Sequence, residues 1–176
     1  MENKTAIITG ITGQDGAYLA SFLIQKGYKV IGVSRGINEN NLFRLEYLGC
    51  ISNLELICSD LTNKQEVISL IDNYQPDEIY NLGAQSSVGR SFKNPYDTYY
   101  YNIISVSTLL DGILAVNRKI KFYQASSSEM FGNIEKEKLP IIESRYFNPS
   151  SPYGVSKASA HWLTVNYRES FNVHAC

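Results

Sequence analysis

Short apolar runs rich in β-branched residues alternate along the chain with longer stretches whose apolar residues recur at helical spacing. The short runs have the length and composition of buried strands, and the longer stretches have the periodicity of amphipathic helices. Strands are predicted over residues 4–9, 29–34, 54–59, 77–82 and 120–125. This alternation predicts an α/β fold, in which a doubly wound parallel sheet carries helices on both faces.

The helices between these strands are predicted from apolar spacing and from the turn residues at their ends. They are expected over residues 17–26, 42–48, 62–74, 96–116 and 153–171. Gly27 and Gly49 suit the C-terminal ends of the first two helices, and Thr62 to Gln65 has the form of a capping box. Residues 172–176 have the pattern of an opening sixth strand. We therefore expect a fragment of a longer protein, the alternative being a short edge strand that closes the domain.

Composition is that of a globular protein with one domain. The 176 residues are 44% hydrophobic, which is enough for one buried core. The formal net charge is −1 and there is no basic block, so we expect neither nucleic acid nor an anionic membrane as a partner. No apolar run is long enough to span a membrane, and the first residues lack the pattern of a signal peptide. We therefore expect a cytoplasmic protein.

Cysteine and histidine spacing argues against a metal site. Cys50, Cys58 and Cys176 form no C-x-x-C pair and are expected to be reduced thiols. His161 and His174 have no partners at ligand spacing, so no metal is expected.

A glycine-rich turn lies between the first predicted strand and the first predicted helix. Its spacing is G-x-x-G-x-x-G, which differs from the G-x-G-x-x-G of the standard dinucleotide fingerprint. At such a turn, free backbone N–H groups and the positive end of the helix dipole attract a phosphate, and glycines let it approach. A mere tight turn is the alternative. The predicted phosphate-binding residues are Gly10, Thr12, Gly13, Gln14, Asp15 and Gly16.

The end of the second strand indicates which dinucleotide binds. A carboxylate there would bind a ribose 2′-hydroxyl, whereas an arginine accommodates a 2′-phosphate. The sequence has Arg35 and no acidic residue before Glu39, which favours NADP over NAD. After the third strand, Asp60 and Leu61 are candidates to meet the adenine, with a helix-capping turn as the alternative.

The chemistry is predicted near the last helix. Tyr153 and Lys157 are four residues apart and share a helix face, so the ammonium group favours the phenolate form of the tyrosine. Tyr153 is therefore a candidate base for a sugar or alcohol hydroxyl, and Ser127 is a candidate donor to the same oxygen. Alcohol dehydrogenation needs one base, so the carboxylate of Glu129 predicts a second proton transfer. The alternatives are a solvated helix face and a glutamate that points into water.

Taken together, these residues resemble the extended short-chain dehydrogenase/reductase superfamily, and within it the GDP-mannose 4,6-dehydratase family. The more specific matches are residues 8–16, 75–86, 122–126 and 164–170, and the resemblance covers essentially the whole chain. The superfamily features are the glycine turn, Asp60-Leu61, Leu82-Gly83-Ala84, Asn102, Ser126-Ser127-Ser128-Glu129 and Tyr153-x-x-x-Lys157.

The resemblance implies a dehydratase that converts GDP-mannose to GDP-4-keto-6-deoxymannose by internal hydride transfer and loss of water. Tyr153 would deprotonate O4 of the sugar, Glu129 would remove the C5 proton, and Lys157 would hold the nicotinamide ribose. The substrate-binding residues would be Ser87, Val88, Ser127 and Glu129. The NADP-binding residues would be those of the glycine turn with Arg35, Asp60, Leu61, Leu82, Gly83, Ala84, Ser86, Tyr153 and Lys157.

The resemblance also implies how the protein is organised. Residues 1–176 would form an NADP-binding Rossmann domain, and the substrate-binding lobe of the family would be absent from this chain. The helices at 96–116 and 153–171 would form a homodimer's four-helix bundle, with a homotetramer as the other possibility. Another GDP-linked sugar, such as a manno-heptose, is an alternative substrate. An NADP-dependent nucleotide-sugar epimerase or reductase, and a truncated non-catalytic nucleotide-binding module, are the alternative functions.

Overall fold

A five-stranded parallel sheet forms the centre of the computed structural model, which describes residues 4–176. The strand order is β3-β2-β1-β4-β5, so the connection reverses direction between β1 and β4. In sheets of this kind the reversal opens a crevice at the carboxyl ends of the strands. The strands are β1 (Thr5–Thr9), β2 (Lys29–Ser34), β3 (Leu54–Cys58), β4 (Glu78–Asn81) and β5 (Lys121–Gln124).

Helices cover both faces of the sheet, which confirms the predicted doubly wound Rossmann-like fold. They are α1 (Gln14–Gln25), α2 (Glu39–Tyr47), α3 (Lys64–Tyr74), α4 (Val88–Lys93), α5 (Pro95–Val116) and α6 (Pro152–Phe171). Side chains of β1 alternate between two cores, since Ile7 packs with α3, α5 and α6 whereas Ala6 and Ile8 pack with α1 and α2. Single 3₁₀ turns occur at Ile51–Asn53, Ser128–Phe131 and Lys136–Lys138. Within residues 4–176, no helix combines the length and the apolar character needed to cross a membrane.

Two helices begin several residues before their predicted starts, and one helix was not predicted. The helix expected from residue 17 begins at Gln14, because the glycine turn leads directly into its first turn. The helix expected over 42–48 begins at Glu39, where the Asn41 side chain accepts the Asn38 N–H at 3.2 Å. The short helix α4 was not predicted, because Val88–Lys93 carries no apolar periodicity.

The predicted capping box at Thr62 is wrong. The cap of α3 is Asn63, whose side-chain oxygen accepts the backbone N–H groups of Gln65 and Glu66 at 3.1 and 3.3 Å. The Thr62 hydroxyl instead donates to the carboxylate of Asp60 at 2.8 Å. The side-chain oxygen of Asn63 thus lies over free N–H groups of the first helical turn, which is what a helix cap requires.

The predicted sixth strand begins to pair with β5. Phe122 donates its N–H to the His174 carbonyl at 2.8 Å, and Cys176 donates to the Phe122 carbonyl at 3.0 Å. Ala175 forms a parallel bridge with Phe122 and lies with Val173 in the core.

The packing of α1 on β1 depends on Gly16. A Cβ atom at this position would overlap the carbonyl oxygen of Gly10 and lie 2.9 Å from the Ile11 Cα. We expect Gly16→Ala to lower the free energy of unfolding by about 1–3 kcal/mol, because backbone would have to move apart. Gly89→Ala is the matched control, since a Cβ there meets nothing within 4 Å.

Urea unfolding of the two variants and the wild type measures this difference. The exposed helical alanine in the control should leave stability unchanged or raise it by up to about 1 kcal/mol. Equal stability of the Gly16→Ala variant and the wild type would show that the turn has room for a side chain.

Candidate functional site

A cleft of about 410 Å³ opens at the carboxyl edge of the sheet, at the reversal between β1 and β4. It brings together residues that follow four different strands, as the sequence predicted for a parallel sheet. The predicted cofactor-binding residues that line it are Gly10, Thr12, Gly13, Arg35, Leu61, Leu82, Gly83, Ala84 and Ser86. The residues not predicted from sequence are Val33, Ser34, Gly36, Asn41, Ser59 and Tyr101.

The floor of the cleft is made of two glycine turns in close contact. Gly10 has a φ of +67°, and a Cβ there would lie 2.8 Å from the backbone nitrogen of Gly83. Gly13 donates its N–H to the Gly10 carbonyl at 2.9 Å, and α1 begins directly afterwards without a side-chain cap. Thr12 and Gly13 line the cleft at this helix start. The uncapped end of α1 therefore offers N–H groups and a positive dipole to an anion.

The other predicted residues of the first glycine turn lie outside the cleft wall. Gln14 lines a separate apolar groove between α1 and α2, together with Tyr18 and Phe43. Asp15 is exposed in the first turn of α1, and Gly16 is buried against the Gly10 carbonyl. Gly16 thus has a packing role, whereas cofactor contacts of Gln14 and Asp15 stay predictions.

Asp60 stabilises the turn before α3, as the alternative interpretation of a helix-capping turn predicted. Its carboxylate accepts the backbone N–H of Thr62 at 2.9 Å and the Thr62 hydroxyl at 2.8 Å. The cleft wall on either side of it is formed by Ser59 and Leu61. A contact between Asp60 and the adenine stays a prediction.

Arg35 and Tyr101 face each other at the mouth of the cleft. The guanidinium carbon of Arg35 lies 3.8 Å from the centroid of the Tyr101 ring, a cation–π distance. Burial raises the pKa of the Tyr101 phenol, and the nearby Arg35 charge acts in the opposite direction. Sequence analysis missed Tyr101 because it lies inside a helix and belongs to no motif.

The start of α6 holds the predicted acid–base residues in place. Pro152 is the first residue of the helix, and the Ser151 hydroxyl oxygen accepts the Gly154 N–H at 3.0 Å. Tyr153 and Lys157 are both buried on this helix. A proline at the first helical position and a serine cap make this helix start well defined.

Backbone packing brings Glu129 to the start of the same helix. A Cβ on Gly154 would lie 2.5 Å from the Glu129 carbonyl oxygen, so α6 meets this backbone without a side chain between them. The Ser127 hydroxyl oxygen accepts the Glu129 N–H at 3.2 Å and starts the 3₁₀ turn. Ser127 and Glu129 are both half-buried. The structure thus packs the turn that carries Ser127 and Glu129 against the first turn of α6, which carries Tyr153.

Buried side chains link the carboxyl ends of β1, β4 and β5. Gly83 donates its N–H to the Thr9 hydroxyl at 2.9 Å, and that hydroxyl donates to the Asn81 side chain at 2.6 Å. Asn81 in turn donates to the side-chain oxygen of Gln124 at 2.7 Å. We call these three side chains, Thr9, Asn81 and Gln124, the edge network.

The edge network continues to Lys157. Gln124 and the Lys157 ammonium group both donate to the carbonyl of Ala125, at 2.9 and 2.6 Å. Burial lowers the pKa of Lys157 to about 8, because the charged form loses its hydration. Lys157 is therefore held at one position, and it loses its proton at a lower pH than an exposed lysine does.

Asn102 fixes α6 relative to the turn after β4. Its side-chain oxygen accepts the Gln85 N–H at 2.7 Å, and its amide donates to the Ser156 hydroxyl at 2.9 Å. Ser156 lies between Tyr153 and Lys157 in the helix. Asn102 was noted in the sequence only as part of a resemblance, and its positioning role comes from these contacts.

The predicted substrate residues Ser87 and Val88 form the start of α4. The Ser87 hydroxyl accepts the Arg90 N–H at 3.2 Å, and Val88 is the first residue of the helix. Their contact with a sugar stays a prediction. In residues 4–176 no group of three or more histidine, cysteine or acidic side chains is arranged to hold a metal ion.

Two proteins whose solved structures have the same fold are named as enzymes of nucleotide sugars. UDP-N-acetylglucosamine 4-epimerase from Methanobrevibacter ruminantium is 26% identical with a TM-score of 0.84, and the match covers 98% of this chain and 53% of that one. A dTDP-glucose 4,6-dehydratase from Streptomyces venezuelae, solved with NAD bound, is 21% identical with a TM-score of 0.82. That match covers 96% of this chain and 53% of the other.

Comparison with relatives of known family identifies the family to which the chain belongs. The GDP-mannose 4,6-dehydratase of Vibrio cholerae serotype O1 is 44% identical over 100% of this chain and 48% of its own length. The GDP-mannose 4,6 dehydratase of Homo sapiens is 42% identical over 98% of this chain and 48% of its own length. The chain thus spans about half the length of the curated relatives it matches. A sequence model of the family described as GDP-mannose 4,6 dehydratase matches residues 7–176. The chain belongs to the GDP-mannose 4,6-dehydratase family.

Proposed function

We propose that this chain carries the NADP-binding Rossmann domain, residues 1–176, and the acid–base residues of a GDP-mannose 4,6-dehydratase. The product would be GDP-4-keto-6-deoxymannose. The observation that carries this proposal is the packing of the Glu129 backbone against Gly154, which joins the turn that carries Glu129 to the first turn of α6, where Tyr153 lies. Two acid–base groups at one place suit a reaction that moves protons at two carbons. Membership of the dehydratase family supports the same assignment.

The residues of the cleft fit a nicotinamide dinucleotide. Glycines at positions 10, 13 and 83 leave backbone at the surface, where a pyrophosphate needs close approach. Arg35 forms no ion pair with any of residues 4–176, so its charge is available to a phosphate. The binding of NAD by a dehydratase of the same fold supports a nicotinamide cofactor. Arg35 supports NADP as the form that binds.

Each protein group then has a defined task in the reaction. When bound, NADP would supply reversible hydride transfer, by which a hydride moves from C4 of the sugar to C6. Tyr153 takes the proton of O4, and Ser127 keeps its hydroxyl hydrogen free to donate to that oxygen, because its own oxygen accepts from Glu129. Glu129 takes the C5 proton and gives a proton to the departing C6 hydroxyl, which leaves as water. As C6 gains its hydrogen, C5 takes up a proton in place of the one lost in the water, and the proton that Tyr153 took from O4 balances it. The net change is the loss of one water molecule.

We also propose a homodimer built on α5 and α6. Both helices expose large side chains, with Tyr96 74% exposed on α5 and Trp162 59% exposed on α6. Exposed apolar side chains on two long helices are typical of an interface. The cytoplasmic location and the choice between dimer and tetramer stay predictions.

Replacing the carboxylate tests the dehydratase assignment. We expect Glu129→Gln to lower kcat at least about 100-fold, since an amide cannot accept the C5 proton. NADP affinity should be unchanged. Glu137→Gln, an exposed glutamate in the loop that follows, is the matched control and should have wild-type kcat. Formation of the 4-keto-6-deoxy product from GDP-mannose by the full-length protein gives the measurement.

Three outcomes would contradict the assignment. Product formation by Glu129→Gln at the wild-type rate would remove the carboxylate from the mechanism. A C4 epimer as the product would favour the epimerase alternative. Wild-type protein that binds NADP and turns over no GDP-sugar would favour the non-catalytic module.

The burial of Lys157 gives stability a defined pH dependence. Its pKa is lowered from 10.5 to about 8 in the folded protein, so between these values the folded state binds fewer protons than the unfolded chain. The stability that this group contributes is complete above its unfolded pKa and is lost as the pH falls through 8. Relative to Lys157→Met, the wild type should therefore gain about 3 kcal/mol as the pH rises across this window.

Urea unfolding of both proteins without nucleotide, at several pH values from 7 to 10.5, measures this gain. Taking the difference between the two proteins cancels the titration of all other groups. A difference that does not change with pH would show that Lys157 keeps its ordinary pKa.

A further inference from the structure

The contact between Arg35 and Tyr101 points to a role for the tyrosine that its position in a helix conceals. We propose that Tyr101 is a positioning residue that sets the preference for a 2′-phosphorylated dinucleotide, by stacking on Arg35 and aiming it at the phosphate. This inference rests on the proposed use of NADP. It concerns one side chain on α5, across the cleft from the strand end that carries the arginine.

The tyrosine is the fixed partner of the pair. Tyr101 is only 8% exposed, and the next residue, Asn102, is bonded to both Gln85 and Ser156. Arg35 is exposed, and no hydrogen bond or ion pair from its guanidinium to residues 4–176 accompanies the stacking contact. A free arginine side chain loses about 2 kcal/mol of rotamer entropy when a ligand orders it. Contact with the Tyr101 ring already restricts the rotamers of Arg35, so part of this entropy is lost before the ligand binds.

The geometry of the stack leaves the useful edge of the arginine free. The guanidinium carbon of Arg35 lies over the Tyr101 ring, 3.8 Å from its centroid, which is close enough for the two planar groups to stack. Its N–H donors lie in the plane of the group, and they bind two phosphate oxygens at once when that edge is open. Stacking therefore orients the Arg35 guanidinium to bind a phosphate at the end of β2, where the ribose of the adenosine half would lie.

Direct packing of the adenine on the Tyr101 ring is the other possible role, and it would change the dissociation constants of NADP and NAD in a different way. If the adenine itself packs on Tyr101, loss of the ring weakens NADP and NAD equally, because both carry adenine. If the ring acts through Arg35, its loss weakens only the nucleotide with a 2′-phosphate. The ratio of the two dissociation constants therefore separates the two roles, and a general structural defect moves both constants together.

Titration calorimetry with NADP and with NAD, using the full chain without substrate, tests the proposal. We expect Tyr101→Leu to raise the Kd for NADP about fivefold to thirtyfold and to leave the Kd for NAD within about twofold. Tyr101→Phe keeps an aromatic face and should keep the wild-type ratio. Tyr100→Leu, at the exposed neighbouring position, is the matched control and should also keep it.

A double variant checks that the ring acts through the arginine. Arg35→Met should abolish the preference for NADP, and adding Tyr101→Leu should lower it no further. If Tyr101→Leu does not fold, Tyr101→Met takes its place with the same expected ratio. Equal losses for NADP and NAD, an unchanged ratio in the Tyr101 variant, or additive effects in the double variant would overturn the proposal. Wild-type protein that binds neither nucleotide would instead overturn the proposed function.

Discussion

Buried hydrogen bonds at the carboxyl edge of the sheet are the constraint on which the rest of the site depends. Thr9, Asn81 and Gln124 are almost completely buried, and each has its polar atoms paired with a neighbour. An unpaired polar group at such a position would cost about 1–3 kcal/mol, whereas a typical hydrogen bond contributes about 1 kcal/mol. The three strand ends therefore have one arrangement. The glycine turn after β4 and the helix that carries Lys157 are tied to it.

Rigid and adjustable parts of the site lie at opposite ends of the carboxyl edge of the sheet. At the β5 end, Gly154 packs directly on the Glu129 backbone, and Asn102 joins α6 to the turn after β4. The proposed proton transfers need acid–base groups in fixed positions, and these contacts restrict the backbone that carries Glu129 and Tyr153. At the β2 end, Arg35 is exposed and has an aromatic ring as its partner. An arginine that binds a phosphate tolerates a mobile side chain better than a catalytic base does.

Periodicity made most of the fold predictable, and tertiary contact explains most of what was missed. The five strands and the long helices α5 and α6 follow from apolar spacing, and the glycine turn follows from its place between strand and helix. The helix α4 lacks an apolar face, and the cap of α3 depends on a choice between two adjacent polar residues, Thr62 and Asn63. The pairing of Arg35 with Tyr101 depends on how α5 crosses the sheet, which no local pattern reports. Asp60 had two interpretations in sequence, and its bonds to Thr62 favour the capping turn.

The central claim is that one cleft carries a dinucleotide from the end of β2 to the acid–base residues on α6. The position of NADP in a crystal of the protein grown with it tests this claim most directly. The account predicts the 2′-phosphate within hydrogen-bond distance of the Arg35 guanidinium, the pyrophosphate at the start of α1 next to Gly13, and the nicotinamide ring beside Tyr153. A dinucleotide bound in the reverse direction, or one whose nicotinamide lies away from Tyr153 and Glu129, would contradict it.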